Sequence, residues 1–475
     1  METLQRTANR GSISTGFDID NSLKLEADNS EYLHFTPSSQ TDYERLAFSI
    51  WVKRSEIRTT QTIAEFGNGT ANTTQLRIGF DSSDRLFVYG NSIVWRESTQ
   101  IFADTNAWYH LFFLFDTTQG TSNDRIRIWV NGNMIAHTDF NTVNNPGSGT
   151  AMGFNKTNQQ SLGAQREDGP KNYLNGYIAQ AWASGGTPPV VTDFGEVDSD
   201  TGIWKPIDIT GVSVPDGNGF FLDFSNSSDL GNDSSSNNND FTLVNLSSAD
   251  QATDVPTNNF NVFTMLHSYG ANYNATITEG GTKVAFTPAN WAGAKGSFGL
   301  INGKWYWELT LMGNLSNGTF GIQTTNTLAT IYNHHAIQNN NTIFIGYPTL
   351  NYYYWTGGSQ TSNESTGWAS STPGAGDVFG FALDLDNSTK RFFLYRNGTL
   401  LNGASGTNLP TPFQNEYVSP FVGGYQADGQ RWNFGGYTSA TISSAANDAN
   451  GYGVFEYAPP TGFYALCTKN LAEYG

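Results

Sequence analysis

Apolar and polar positions alternate in short runs from about Gly16 to Ser184, and again from about Asn274 onward. Phe48, Ile50 and Val52 fall on one side of a two-residue period, as the buried side of a strand requires. Gln75 to Tyr89 reads as two strands turned at Asp81-Ser82-Ser83-Asp84. Trp108 to Phe115 is almost wholly apolar, the signature of a central strand covered on both faces. Ile126–Val130 and Met134–His137 flank Asn131-Gly132, whose tolerance of positive φ predicts a two-residue hairpin turn. In the second half, Lys304 to Leu311 puts Trp305, Trp307, Leu309 and Leu311 on one face. Val378–Leu385 and Arg391–Arg396 follow as strands, with a further turn at Asn397-Gly398. No stretch carries a sustained 3.6-residue period; Ile442 to Asn450 has room for one short helix at most.

Between the two patterned regions the chain changes character. Residues 186–265 hold Pro188-Pro189, an acidic loop from Asp193 to Asp200 and the polar run Ser225 to Asp240. Only Gly219 to Phe224 reads there as a strand. The expectation is therefore all-β: two antiparallel β-sandwich (jelly-roll) domains joined by an irregular connector. The boundaries are a polar tail at 1–12, a first sandwich at 13–185, a connector at 186–265 wrapped over that sandwich, and a second sandwich with a C-terminal extension at 266–475.

Composition narrows the function. With 24 Lys plus Arg against 42 Asp plus Glu, the net charge is −18, which offers no basic field to a nucleic-acid backbone or an anionic membrane. No apolar run approaches the ~20 residues that cross a bilayer, and the N-terminus has no apolar stretch of a secretory signal. Cys467 is the only cysteine, so neither an internal disulfide nor a thiolate zinc cluster can form. Aromatic residues make up 14% of the chain, enough to fill two cores and leave a few rings for a surface.

Specific segments carry family resemblances. Trp108-Tyr109-His110-Leu111, Ile128-Trp129-Val130-Asn131-Gly132, Ser161-Leu162-Gly163-Ala164 and Leu174 to Gln180 resemble strands of laminin-G-like, concanavalin-A-like domains over roughly 17–185. Gly303 to Glu308, Gly376 to Gly380, Leu383 to Asn387, Phe393 to Gly398 and Trp432 to Gly435 resemble the SPRY pattern, in order, over about 275–437. The combination resembles virion structural proteins of tailed phages, described as fibre-like or adhesion proteins. Trp51 to Arg54, Thr192 to Glu196, Val255 to Phe260 and Tyr457 to Phe463 carry that likeness. It implies a virion protein made in the host cytoplasm, partnered by other virion proteins and by copies of itself. Its work would be attachment to host-surface glycans or proteins. The alternatives are a purely structural decorating protein with no host ligand and, further off, a polysaccharide-degrading enzyme.

Candidate chemistry is sparse, and no catalytic residue is assigned. Concanavalin-A-like hydrolases align carboxylates on one strand, but the nearest stretch, Glu196-Val197-Asp198-Ser199-Asp200, ends on Thr201 where a further acid should stand. His334 and His335 adjoin, yet adjacent strand residues face opposite ways and cannot share a metal. His110 lies in an apolar strand and reads as a core histidine. Calcium is the one cofactor considered: Asp81, Asp84 and the Asp229 to Asp240 stretch are candidate ligands, with self-capped Asx-turns as the competing reading. For ligand binding the densest aromatic cluster is Tyr352, Tyr354 and Trp355 with Trp368 beyond, and Trp95-Arg96 is a second candidate. One ring stacking on a sugar contributes about 2.5 kcal/mol for ~100 Å² buried. Association costs at least ~4 kcal/mol, so attachment through such sites would rely on many copies. The polar tail, through Met1, Arg6 and Arg10, is expected to anchor on a neighbouring chain.

Overall fold

The structure, a computed structural model, describes residues 16–42, 44–67, 75–154, 156–167, 169–264, 275–286, 292–313, 318–325, 341–356, 359–364, 366–368, 371–424 and 429–475. The tail 1–12 and the pair His334 and His335 lie outside the described residues. The fold is all-β, and the described residues divide into two compact units, 16–257 and Asn258–Gly475.

The first unit is two eight-stranded sheets packed face to face. One sheet runs in the order Asn133–Met134, Ile126–Val130, Trp108–Asp116, Arg45–Arg54, Gly176–Ser184, Ser22–Leu25 and Gln251–Ala252, with Phe220–Leu222 also pairing Gly176–Ser184. The other, called here the second sheet, runs Phe140–Val143, Ile93–Ile101, Arg85–Gly90, Leu76–Phe80, Gln61–Phe66, Gln160–Leu162, Tyr32–Phe35 and Thr242–Val244. Every pairing within both sheets is antiparallel. Phe48, Ile50, Val52, Leu111, Phe113 and Phe115 meet Leu76, Ile78, Phe80, Leu86 and Val88 between the sheets, so the alternation read from sequence sets the core.

Trp108–Asp116 is apolar on both faces because both are covered. Its other side, through Phe112 and Leu114, packs with Trp182, Phe194, Ile209 and Phe221. Phe194 and Ile209 come from the segment expected as a connector. That segment holds the expected strand at Phe220–Leu222 and four more: Gly195–Val197, Trp204–Pro206, Thr242–Val244 and Gln251–Ala252. Strands of two or three residues are too short to display a period, so the sequence conceals them. Gly195–Val197 and Trp204–Pro206 pair with each other and lay Trp204 over His110, ring centroids 5.7 Å apart. The Asn131-Gly132 hairpin makes room for that indole. Both turn residues have positive φ, 47° and 75°, and a Cβ on Gly132 would stand 2.3 Å from the Trp204 ring.

The second unit pairs a nine-stranded sheet, built around Lys304–Leu311, Val378–Asp384 and Arg391–Arg396, with a six-stranded sheet. Trp305, Trp307, Leu309 and Leu311 all enter its core. The C-terminal extension is pinned by Glu308. This carboxylate, 1% exposed, accepts the N–H groups of Glu456 and Tyr457 at 2.8 Å each and the hydroxyl of Tyr306 at 3.1 Å. Residues 442–450 form no helix. The Asp448 carboxylate accepts the N–H groups of Asn450 and Tyr452, an Asx-type turn that competes with helical hydrogen bonding. The one α-helix among the described residues is Thr468–Tyr474 instead. Cys467 is fully buried, its thiol pushed up to about 12 by desolvation, which leaves it unreactive.

Candidate functional site

The aromatic residues singled out by sequence are mostly core residues. Trp95 is 1% exposed between the sheets of the first unit. Arg96 is fully buried, donating to the carbonyls of Trp95 and Asn144 at 2.8 and 2.7 Å and to Asn145 Oδ1 at 2.7 Å. Neither offers a surface to a ligand. In the second unit, strand Asn351–Thr356 turns Tyr352 and Tyr354 inward, and Tyr352 stacks on Phe392 at 5.9 Å. Trp368 packs edge-on against the same Phe392 at 6.3 Å, while Trp355 lies on the opposite side of its strand from Tyr354 and is partly buried. Of the rings expected as ligand contacts, alternation hands Tyr352 and Tyr354 to the core.

The carboxylates considered for calcium are turn caps. Asp81 Oδ1 accepts the N–H groups of Ser83 and Arg85 at 2.8 and 2.9 Å. Asp84 pairs with buried Arg54 at 3.0 Å and accepts the Arg58 N–H at 2.7 Å. In the polar run, Asp233 accepts the N–H groups of Phe221, Ser235 and Asn239. Among the described residues no group of three or more His, Cys, Asp and Glu is placed to hold a metal. Asp198 and Glu196 are likewise committed, both reaching Lys205 Nζ at 3.3 Å.

What the structure brings together is the outer face of the first unit's second sheet. The strand registers place Thr242, His34, Ser161, Glu65, Arg77, Tyr89 and Val94 side by side, one from each of seven neighbouring strands. Residues one step along each strand point into the core, so this row points away from it. At one end His34 Nδ1 accepts from Gln159 Nε2 at 2.8 Å, which puts the ring proton on Nε2. Desolvation, assisted by Arg166, lowers the His34 pKa and keeps that ring neutral. Arg166 donates to Gln159 Oε1 at 2.8 Å and to the Tyr32 hydroxyl at 2.7 Å, its guanidinium lying 4.8 Å over the Tyr32 ring.

Glu65 anchors the middle. Fully buried, it accepts the N–H groups of Arg166 and Glu167 at 2.9 and 3.2 Å and Gln75 Nε2 at 3.0 Å. Burial raises its pKa against those hydrogen bonds. Gln75 Nε2 also donates to Glu167 Oε2 at 3.0 Å, so one amide bridges two carboxylates. Glu65 has no exposed oxygen to offer a glycosidic bond; its work is to hold the loop that presents Arg166 and Glu167. Beside it the Arg77 guanidinium lies 4.9 Å from the Tyr89 ring and 5.3 Å from the Phe87 ring.

Sequence reasoning passed over this row. The hairpin carrying Arg77, Phe87 and Tyr89 was legible, and the rule that buried Leu76, Ile78 and Phe80 also turns Arg77 outward. The other members come from distant strands, Thr242 lying 165 residues from Arg77, and nothing local announces that pairing.

The model of a laminin-G family, described as the concanavalin A-like lectin/glucanases superfamily, matches residues 27–185. Among solved structures, the SPRY domain of human HERC1 is 14% identical, over 36% of this chain and 96% of that one, with a TM-score of 0.26. The TRIM65 PSpry domain is 12% identical over 38% and 90%, also at 0.26. A heptameric SAP-like pentraxin from Limulus polyphemus is 15% identical over 36% and 80%, at 0.25. At those identities and scores none bears on what this chain binds. No curated protein matches the chain.

Proposed function

We propose that this chain is a non-catalytic virion component, fibre-like or decorating, that attaches to surface glycans through the outer face of the first unit's second sheet. The observation that carries the reading is the row from His34 to Tyr89. It sets the partly exposed His34, Arg77 and Tyr89 on one face of a lectin-like sandwich, and the loop held by buried Glu65 presents Arg166 and Glu167 beside them. Such a mixture suits a sugar, whose hydroxyls both donate and accept while its C–H face packs on rings. A binding role, not hydrolysis, is supported by the commitment of Glu65 to protein N–H donors. No helix among the described residues is long and apolar enough to cross a membrane.

A place in an assembly is favoured by exposed apolar residues on strands at or next to the edge of this unit. Ile93 and Ile101 are 49% and 58% exposed, with Met134 at 56% and Val143 at 39%. Strands Asn133–Met134 and Phe140–Val143 are edge strands, whose open hydrogen bonds invite a neighbour. The test is to raise antibody against the chain and probe particles purified through a density gradient. The chain is expected to band with the particles, and the antibody to reduce their adsorption to cells. Recovery only from the particle-free fraction would overturn the virion reading.

A further inference from the structure

The row contains one cation whose hydrogen-bonding capacity the protein does not use. The Arg77 guanidinium forms no hydrogen bond and no ion pair among the described residues, and its Nε is buried without a partner. Three other arginines of this unit are spent. Arg54 pairs with Asp84, Arg96 is bonded to two carbonyls and an amide, and Arg166 is bonded to Gln159 and Tyr32. Arg77 is instead held in position by two rings, Phe87 and Tyr89, on strand Arg85–Gly90. Cation–π contacts fix the plane of a guanidinium without consuming its N–H groups. The result is a pre-oriented, half-buried fork beside a row of sugar-compatible groups.

Resting on the glycan-binding reading above, we infer that Arg77 is the anchor for the carboxylate of an acidic sugar, a uronic or sialic acid residue within a surface glycan. A carboxylate is the planar, two-oxygen partner that a guanidinium fork binds bidentately. The neighbourhood sets the rest of the ligand's chemistry. Glu65 and Glu167 stand near enough to act on the Arg77 charge. With Arg166 they bring the local sum to zero, so one carboxylate is accepted against Arg77 and a second one crowded beside it is repelled. A sugar supplies one carboxylate per ring together with hydroxyls that can donate to Glu167. An acidic peptide supplies several carboxylates with few donors, and on a chain of net charge −18 it meets repulsion elsewhere.

The test uses the full chain and calorimetric or biolayer binding to paired probes that differ only at the carboxyl. The pairs are tetragalacturonate against its methyl ester, 3′-sialyllactose against lactose, and a poly-glutamate peptide as the peptide arm. At least one acid is expected to bind about tenfold or more tightly than its neutral partner, and to weaken as salt is raised. Which acid binds distinguishes uronate from sialate as the source. Arg77→Lys, which keeps the charge and loses the fork, is expected to lose several-fold, and Arg77→Gln to abolish the preference for acid over neutral. Unchanged melting of both variants establishes that they are folded; should Arg77→Gln melt early, Arg77→Lys alone carries the comparison. Equal binding of acid and neutral partners would overturn the carboxylate inference and leave the glycan reading standing. No binding to any sugar would remove both, as would binding to poly-glutamate alone. Acid preference surviving both substitutions would move the anchor away from Arg77.

Discussion

Asp254→Ala is expected to destabilise the first unit by about 3–5 kcal/mol, the cost of leaving one member of a buried ion pair behind. Lys53 Nζ and Asp254 Oδ2 are 2.7 Å apart and both side chains are 1% exposed. The same carboxylate accepts Trp108 Nε1–H at 3.0 Å, and the Asp254 carbonyl accepts the Ser22 hydroxyl at 2.6 Å. Three strands of one sheet are thereby tied to the segment that follows Gln251–Ala252. Burial by itself lowers the Lys53 pKa, and Asp254 is the largest influence opposing it. Removing the carboxylate leaves the buried ammonium without the charge that chiefly offsets its desolvation. Urea unfolding followed peptide by peptide through amide exchange measures this, because it separates the first unit from the second. The double variant Lys53→Met, Asp254→Leu is expected to recover most of the loss, since an apolar pair needs no compensation. A single variant within 1 kcal/mol of the parent would show that the pair does not hold this segment.

Acid is expected to weaken the first unit through His110. The ring is fully buried; Nδ1 accepts Trp204 Nε1–H at 3.1 Å, so the proton sits on Nε2 and donates to Ser49 Oγ at 2.9 Å. Both nitrogens are satisfied in the neutral form, and burial lowers the pKa from 6.5 to about 3. The folded-state value is depressed, so the stabilisation is fully present above pH 6.5. Between pH 6.5 and about 3 the unfolded chain binds a proton that the folded chain refuses. Stability therefore falls by about 1.4 kcal/mol for each pH unit, or roughly 2–3 kcal/mol between pH 6.5 and 4.5. Burial raises the pKa values of Glu31, Glu65 and Glu308, which gives them the opposite slope. Comparison with His110→Asn removes their contribution, since they are common to both chains. The variant is expected to start less stable at pH 7.5 and to show the shallower decline. Parallel declines would contradict the assignment.

These two sites mark where the sequence was legible and where it stopped. The apolar run Trp108 to Phe115 declared a strand covered on both faces, and His110 within it declared a core histidine. The cover itself was hidden. Trp204 and Phe194 lie in a turn-rich stretch whose strands are three residues long, too short for a period to emerge. Asp254 sits 201 residues from Lys53, and no local pattern connects them. Rings failed as a guide to the surface for a related reason. Counting Tyr352, Tyr354, Trp368 and Trp95 says how much apolar area is present, and only the strand's facing says that the core takes it. The site that emerged was instead marked by an outward arginine between buried strand positions, a weak signal until its neighbours are known.

The most direct test of the binding face is to map it. A photoreactive derivative of whichever oligosaccharide binds is cross-linked to the full chain, and the labelled peptides are read by mass spectrometry. The account predicts labels on the peptides holding Tyr32 and His34, Arg77 to Tyr89, and Arg166 and Glu167, lost on competition with unlabelled sugar. Labels confined to residues 258–475, with none on these strands, would contradict it.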